Sequence, residues 1–344
     1  ISLPTEPLMV GITVLFLIKL SLERGVLDPA VLRHPITGVI VAQLLWMALC
    51  IVPSEMPMVS VKFFLARLWF ITTCYFMATR LFADTRNMHR MAWLFVLSLA
   101  GVIVYTVFNH AQFRFAQEPA HWVMSPFFKD HTSYGAIIAF FLPFLVVAVS
   151  MPGYSRSRKG LAFLVLLIFA TGLIFSYTRA AWVSLIGALG MLLVMRFKVP
   201  VWALFLVLLT GGGLYYVNAD RITIALERNR EESSDDLGEH VQSISNISSD
   251  ASNLERLNRW NSAMRMWEER PLFGWGPGTY MFQYAPFQAS EDRTIISTNF
   301  GTQGNAHSEY LGPLAEQGVP GMLLMALVVI VTIITALRLY PRMP

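Results

Sequence analysis

The chain has 344 residues, 55% hydrophobic and only 14% charged, with a formal net charge of +4 and a mean hydropathy of +0.53. A soluble domain carries about 25% charged residues, so this composition excludes an ordinary water-soluble enzyme and indicates a polytopic membrane protein. Cys50 and Cys74 both lie inside apolar runs, which excludes a disulfide framework and a zinc site.

A membrane span needs about 17–25 mostly apolar residues. Nine runs read as spans: about 8–22, 36–53, 61–79, 91–109, 134–151, 161–177, 180–196, 199–217 and 318–338. The basic residues of the short loops set their orientation. Lys19, Arg24 and Arg33 follow the first span; Arg80, Arg86 and Arg90 follow the third. Arg156, Arg158 and Lys159 follow the fifth, Arg196 and Lys198 the seventh, and Arg338 and Arg342 the last. The intervening short loops carry fewer: Lys62, then Arg114 and Lys129, then Arg179. The richer set belongs to the cytoplasm, which explains the positive net charge without nucleic acid. The N-terminus is then outside. The absence of an initiator Met and of a signal peptide fits a fragment that lacks at least one upstream span.

The expected fold is thus an all-α polytopic membrane protein with about nine transmembrane helices and one large outer loop. Spans one to eight occupy 1–217, the outer loop 218–308, and a re-entry segment with the ninth span 309–344.

In chain order, the first charged candidate is Arg67, six residues into the third span. A charge at that depth is costly and marks a functional candidate, although a snorkelling arginine has the same signature. Lys129 and His131 sit in "FFKDHTSYG" before the fifth span, where Asp130, Thr132 or Ser133 can cap the helix. Arg179 sits in "SYTRAAW", in a turn too short to be a free loop.

The outer loop begins with an acidic, Ser-rich stretch that reads as a solvated segment. Asp235–Asp236 belongs to it, as does a sequon at Asn246-Ile247-Ser248. Beyond it, Leu254, Leu257, Asn261, Met264 and Trp267 recur at helical spacing, with Arg256, Arg259 and Arg265 elsewhere on the wheel. This predicts an amphipathic helix over 254–268 lying on the membrane or on the spans and ended by Pro271. "GWGPG" (Gly274–Gly278) follows no strand and opens no βαβ unit, so it reads as a tight turn rather than a dinucleotide loop. "GTQGNAHSEYLGPLAEQGVPG" then leads into the last span. His307 precedes Tyr310 and Leu314 at helical spacing, with Glu309 and Glu316 nearby. A histidine titrates near pH 6.5 and can take a proton from a hydroxyl. Arg67, Lys129, Arg179 and His307 together form an outer cationic set suited to an anionic lipid headgroup.

Three segments carry a family resemblance. "NRWNSAMRMWEERPLFGWGPGTY" resembles an Arg/Trp-bearing helix followed by "hPLfGxGpGxf". "NAHSEYLGPLAEQGVPG" resembles "HNxyLxxlaExGxxG", and "SYTRAAWVSLIGALG" resembles "sxSRgaxlal". In this order, over roughly 134–338, they resemble the O-antigen ligase and polymerase superfamily of bacterial envelope glycan enzymes.

The resemblance implies a site at the periplasmic face of the inner membrane. There a glycan moves from undecaprenyl pyrophosphate to a hydroxyl of the lipid A-core (ligase) or of a second lipid-linked repeat (polymerase). It maps the family histidine onto His307 and the family arginine onto Arg179. Arg67, Lys129, His131, Arg265, Glu309, Tyr310 and Glu316 are the expected substrate-binding residues. "HSEYL" departs from the ligase "HNxYL" and leaves the acceptor class open. No cofactor is expected, and no Asp-x-Asp metal pair stands in the outer segments. A polyprenyl-glycan transporter is the non-enzyme alternative; it would require internal repeats and midplane charges, and neither is seen.

Overall fold

The computed structural model describes residues 5–23, 25–200, 251–294, 297 and 304–339, with scattered positions between 202 and 213. All regular elements among the described residues are helical. Six helices are long and apolar enough to cross a membrane. They are α4 (Pro57–Leu81), α5 (Thr85–Ala111), α6 (His131–Ser150), α7 (Arg156–Ile174), α8 (Arg179–Arg196) and α11 (Leu311–Leu339). Two further helices, α1 (Thr5–Leu22) and α3 (Pro35–Ile51), are apolar over shorter runs. The remaining labels are α2 (Pro29–Leu32), α9 (Ala251–Glu269) and α10 (Tyr280–Gln283). The expected span at 199–217, the Asp235–Asp236 pair and the sequon lie largely or wholly outside the described residues.

Local chemistry sets the helix starts. Proline opens α2, α3 and α4, where its missing N–H leaves no bond unmade. Asp130 caps α6 by accepting the Ser133 N–H at 2.8 Å. Ser155 caps α7.

The chain divides into two compact units, one of 1–85 with 247–344 and one of 86–246. In the second, α5–α8 pack through an apolar core. Val96, Leu99 and Ile103 of α5 meet Tyr134, Ile138 and Leu145 of α6 and Val165, Phe169 and Leu173 of α7. Gly172 lets α5 approach closely: a Cβ there would lie 2.5 Å from Ile103 Cγ2.

In the first unit, α3 and α9 both pack on α11. α4 begins earlier than its apolar run and carries a π-helical turn at Thr72–Met77. Arg67 is thereby ten residues past Pro57, about 15 Å along the axis.

α9 forms where expected, but its packed face differs. Its buried residues are Glu255, Asn258, Arg259, Ser262, Ala263 and Met266, whereas Leu254 and Leu257 are exposed. The buried face is mostly polar, and most of its polar atoms bond one another, although Asn258 Oδ1 finds no partner among the described residues. Arg259 Nε donates to Glu255 Oε1 at 2.9 Å. Ser297 and Thr294 hydroxyls also donate to Glu255, and Asn258 Nδ2 donates to Gln288 Oε1 at 2.8 Å. A buried polar group so bonded avoids the desolvation cost that hydropathy assigns to it.

Candidate functional site

The site is built on a broken helix. Within α11, Gly318 adopts φ 68°, ψ −170°, which frees the carbonyls before it. Inside a membrane such groups must be satisfied by the protein itself. The "GWGPG" loop does this. The Trp275 and Gly276 N–H groups donate to the carbonyls of Ala315 (3.0 Å) and Glu316 (2.9 Å), and Val319 N–H donates to Pro271 C=O at 3.0 Å. Trp46 Nε1–H from α3 takes the Gln317 carbonyl at 2.9 Å.

The loop glycines are required twice over. Gly274, Gly276 and Gly278 have φ of 66°, 113° and 75°, a region that favours glycine. A Cβ on Gly274 would lie 2.3 Å from the Glu316 carbonyl carbon, and one on Gly276 2.0 Å from Ser54 Oγ. Arg270 closes the far side by pairing with Glu55 and lying 4.2 Å over the Trp275 ring.

The Glu316 side chain is buried and accepts the Tyr280 N–H at 3.0 Å and the Gly278 N–H. Its carboxylate thus holds the end of the glycine loop and contributes one wall of a cavity of about 550 Å³. Arg67, Tyr280, His307, Glu309 and Gln317 line the same cavity. Arg67 enters from α4 with its guanidinium 5.6 Å from the Phe63 ring centre.

His307 stands at the cavity mouth with an exposed side chain and φ 45°, a left-handed backbone uncommon for any residue but glycine. Its N–H donates to Asn305 Oδ1 at 3.0 Å. Ser308 Oγ accepts from Leu311 N–H at 3.1 Å, so α11 starts just beyond the turn. Strain of this kind at a cavity mouth is a mark of functional sites.

Behind it, Arg259 Nη1 donates to the Asn305 carbonyl at 3.4 Å, and Tyr280 Oη donates to the Arg259 carbonyl at 2.7 Å. Partial burial, then the positive charges of Arg259 and Arg256, hold the His307 imidazole below its ordinary pKa, with Glu255 opposing them. Burial alone would raise the Glu255 carboxyl, but hydrogen bonds from Ser297, Arg259, Thr294 and Asn258 outweigh it and hold it below the usual range.

Of the residues expected from the sequence, Arg67, His307, Glu309 and Glu316 therefore share one cavity. Tyr310 is exposed beside them and is not part of its lining. Arg265 is engaged elsewhere, with Asp292 at 2.7 Å and the Phe287 carbonyl at 3.0 Å. The second unit gathers another set. The His131 ring lies 4.2 Å from that of His121. The His131 carbonyl accepts the Thr178 hydroxyl at 2.8 Å, one residue before half-buried Arg179. Lys129 is exposed nearby in sequence.

Sequence reasoning missed Glu255, Arg259 and Asn305. The spacing of Glu255 and Arg259, i and i+4 on a helix, was the available signal. Among the described residues no group of three His, Cys, Asp or Glu side chains is placed to hold a metal ion.

No curated protein and no solved structure is significantly similar to the chain. The family described as O-antigen ligase matches residues 162–326. That stretch, just under half of the chain, contains Arg179, the glycine loop and His307, and the match supports membership of the O-antigen ligase superfamily.

Proposed function

We propose that the protein transfers a glycan from undecaprenyl pyrophosphate to an acceptor hydroxyl, most directly that of a lipid A-core sugar, at the periplasmic face of the inner membrane. The observation that carries this reading is the cavity that unites His307 with Arg67 beside a glycine loop fixed to a broken span. The neutral His307 imidazole takes the proton of the acceptor O–H. The oxygen attacks the anomeric carbon, and the bond to the pyrophosphate oxygen breaks with its electron pair. Attack opposite the leaving group inverts that carbon.

Charge builds on the departing pyrophosphate. Fixed cations in a water-poor site stabilise such charge. Those in the first unit's cavity, Arg67 foremost, are assigned to this role; the family resemblance adds Arg179 and Lys129 as donor-binding candidates. Glu316 holds the loop and does not touch the reacting atoms. A His307 held below its ordinary pKa is neutral, and so competent as a base, at neutral pH.

The test is transfer by purified protein from lipid-linked glycan to lipid A-core. His307→Ala is expected to lower kcat by about 10²–10⁴-fold, the usual worth of a general base. Full transfer by both His307→Ala and Arg179→Ala in correctly inserted protein would sink the reading. A second lipid-linked repeat serving as the better acceptor would redirect it to a polymerase.

A further inference from the structure

The second unit contains a pocket that shares no residue with the His307 cavity. It has a volume of about 630 Å³ and is lined by Arg86, His89, Arg90, Trp93, Tyr154 and Arg158, with Leu97 and Leu161. Among the described residues no acidic side chain lines it. It lies where α5 and α7 begin and α6 ends, so its basic residues belong to the loops that the positive-inside pattern assigns to the cytoplasm. The His131 and Arg179 helix starts are at the opposite ends of α6 and α7.

The lining is graded along the helices. On α5, Arg86 and Arg90 come first, then Trp93, then Leu97, over about 16 Å of rise. On the α7 side, Tyr154 and Arg158 precede Leu161. Trp93 Nε1 donates to Tyr154 Oη at 3.1 Å, which makes an amphipathic aromatic floor. Arg158 lies 6.0 Å from the Tyr154 ring centre. Leu97 and Leu161 are 46% and 44% exposed, so the apolar end of the pocket is open to the side. His89 Nδ1 is buried without a hydrogen-bond partner, a polar atom left for an incoming group.

A free phosphate would use the cations and leave the leucines uncovered. An amphiphile would use both. We propose that this pocket binds an anionic phospholipid, with its headgroup phosphate on Arg90 and Arg158 and an acyl chain along Leu97 and Leu161. Arginine is suited to this because its planar fork reaches two phosphate oxygens at once, and basic pockets between spans on the cytoplasmic side take such headgroups. The proposal does not rest on the glycan-transfer reading.

Native mass spectrometry of the full chain tests it, with dioleoyl phosphatidylglycerol, dioleoyl phosphatidylcholine and inorganic phosphate as probes. The wild type should retain one phosphatidylglycerol in preference to phosphatidylcholine. At about fivefold in affinity per arginine near an anionic surface, Arg90→Gln with Arg158→Gln should weaken that retention about 25-fold. Arg90→Lys with Arg158→Lys, with an unchanged melting temperature, should keep most of it. Equal retention of the two lipids, or retention indifferent to the glutamine pair, would overturn the proposal. Displacement of the lipid by millimolar phosphate would overturn the lipid assignment in favour of a phosphate site.

Discussion

The two units solve the membrane problem in opposite ways. The second packs α5–α8 through Ile, Leu, Val and Phe side chains. There the helices meet chiefly through side chains, and Pro143 stands inside α6 without an inserted loop, among the described residues, to repair the helix. The first breaks a span at Gly318 and repairs it with a loop that arrives from outside the span. Its α9 turns Glu255, Asn258 and Arg259 inward. The difference teaches that the second unit can absorb small changes by repacking, whereas the first depends on particular backbone pairings that admit no substitute.

Glycine substitutions put that contrast at greatest risk. A Cβ on Gly318 would lie 2.1 Å from the Leu272 carbonyl oxygen, at positive φ. Gly318→Val should cost about 3 kcal/mol or more, combining strain with steric conflict, and remove most folded protein from the membrane fraction. Gly187 and Gly190 of α8 have nothing within 4 Å of an added Cβ, so alanine at either should move the melting free energy by less than about 1 kcal/mol. Equal tolerance at Gly318 and Gly187 would erase the distinction.

Arg259 sharpens it on the functional side. Arg259→Gln removes the ion-pair partner of the buried Glu255 carboxylate, which keeps its Ser297, Thr294 and Asn258 hydrogen bonds, and should destabilise by about 2 kcal/mol. It also removes a positive charge that lowers the His307 pKa. The acidic limb of the transfer profile, set by protonation of the base, should then move to higher pH. Stability follows the same group. A histidine with a lowered folded pKa contributes stability above its unfolded pKa and loses it as pH falls below about 6.5; the variant should lose less over that window. A purely structural role would leave the limb in place.

Much of the second unit was legible in the sequence, because apolar runs of about 20 residues and helix caps such as Asp130 are local signals. His307, Arg67 and Glu316 were legible as costly charges near spans. What holds them was not. The periodicity of Leu254 and Leu257 marked a face of α9 that is exposed in the protein; hydropathy scores Glu255 and Arg259, which pack inside, as exposed and has no term for their mutual pairing. The hold of Trp275 and Gly276 on Ala315 and Glu316 joins residues about 40 positions apart, and it uses backbone groups that every residue possesses. Only the alternating glycines at 274, 276 and 278 betrayed it, and they read equally well as an ordinary turn.

A smaller effect is expected at the cap of α6. Asp130→Ala removes the acceptor of the Ser133 N–H and should cost about 1 kcal/mol. The Ser133 backbone hydrogen bond holds the Asp130 carboxyl below its ordinary range. The stabilisation is therefore complete above the unfolded carboxylate pKa near 4 and is lost as pH falls through the lower folded value. Wild type and variant should converge in strong acid and differ at neutral pH, as read by chemical denaturation.

The smallest effect belongs to Arg265, a candidate substrate ligand by its position in the outer loop. Its side chain is 36% exposed and its partner Asp292 19% exposed, so solvent screens much of their attraction. Such pairs are worth about 0.5 kcal/mol. It also holds the Phe287 carbonyl, which fixes the turn after α10 but does not line the His307 cavity. Arg265→Ala should lower the melting free energy by no more than about 1 kcal/mol and change KM for the lipid-linked donor by less than about threefold. A loss of transfer as deep as that of His307→Ala, with folding intact, would move Arg265 from the scaffold into the site. It would also mean that the polar face of α9 serves substrate as well as the fold.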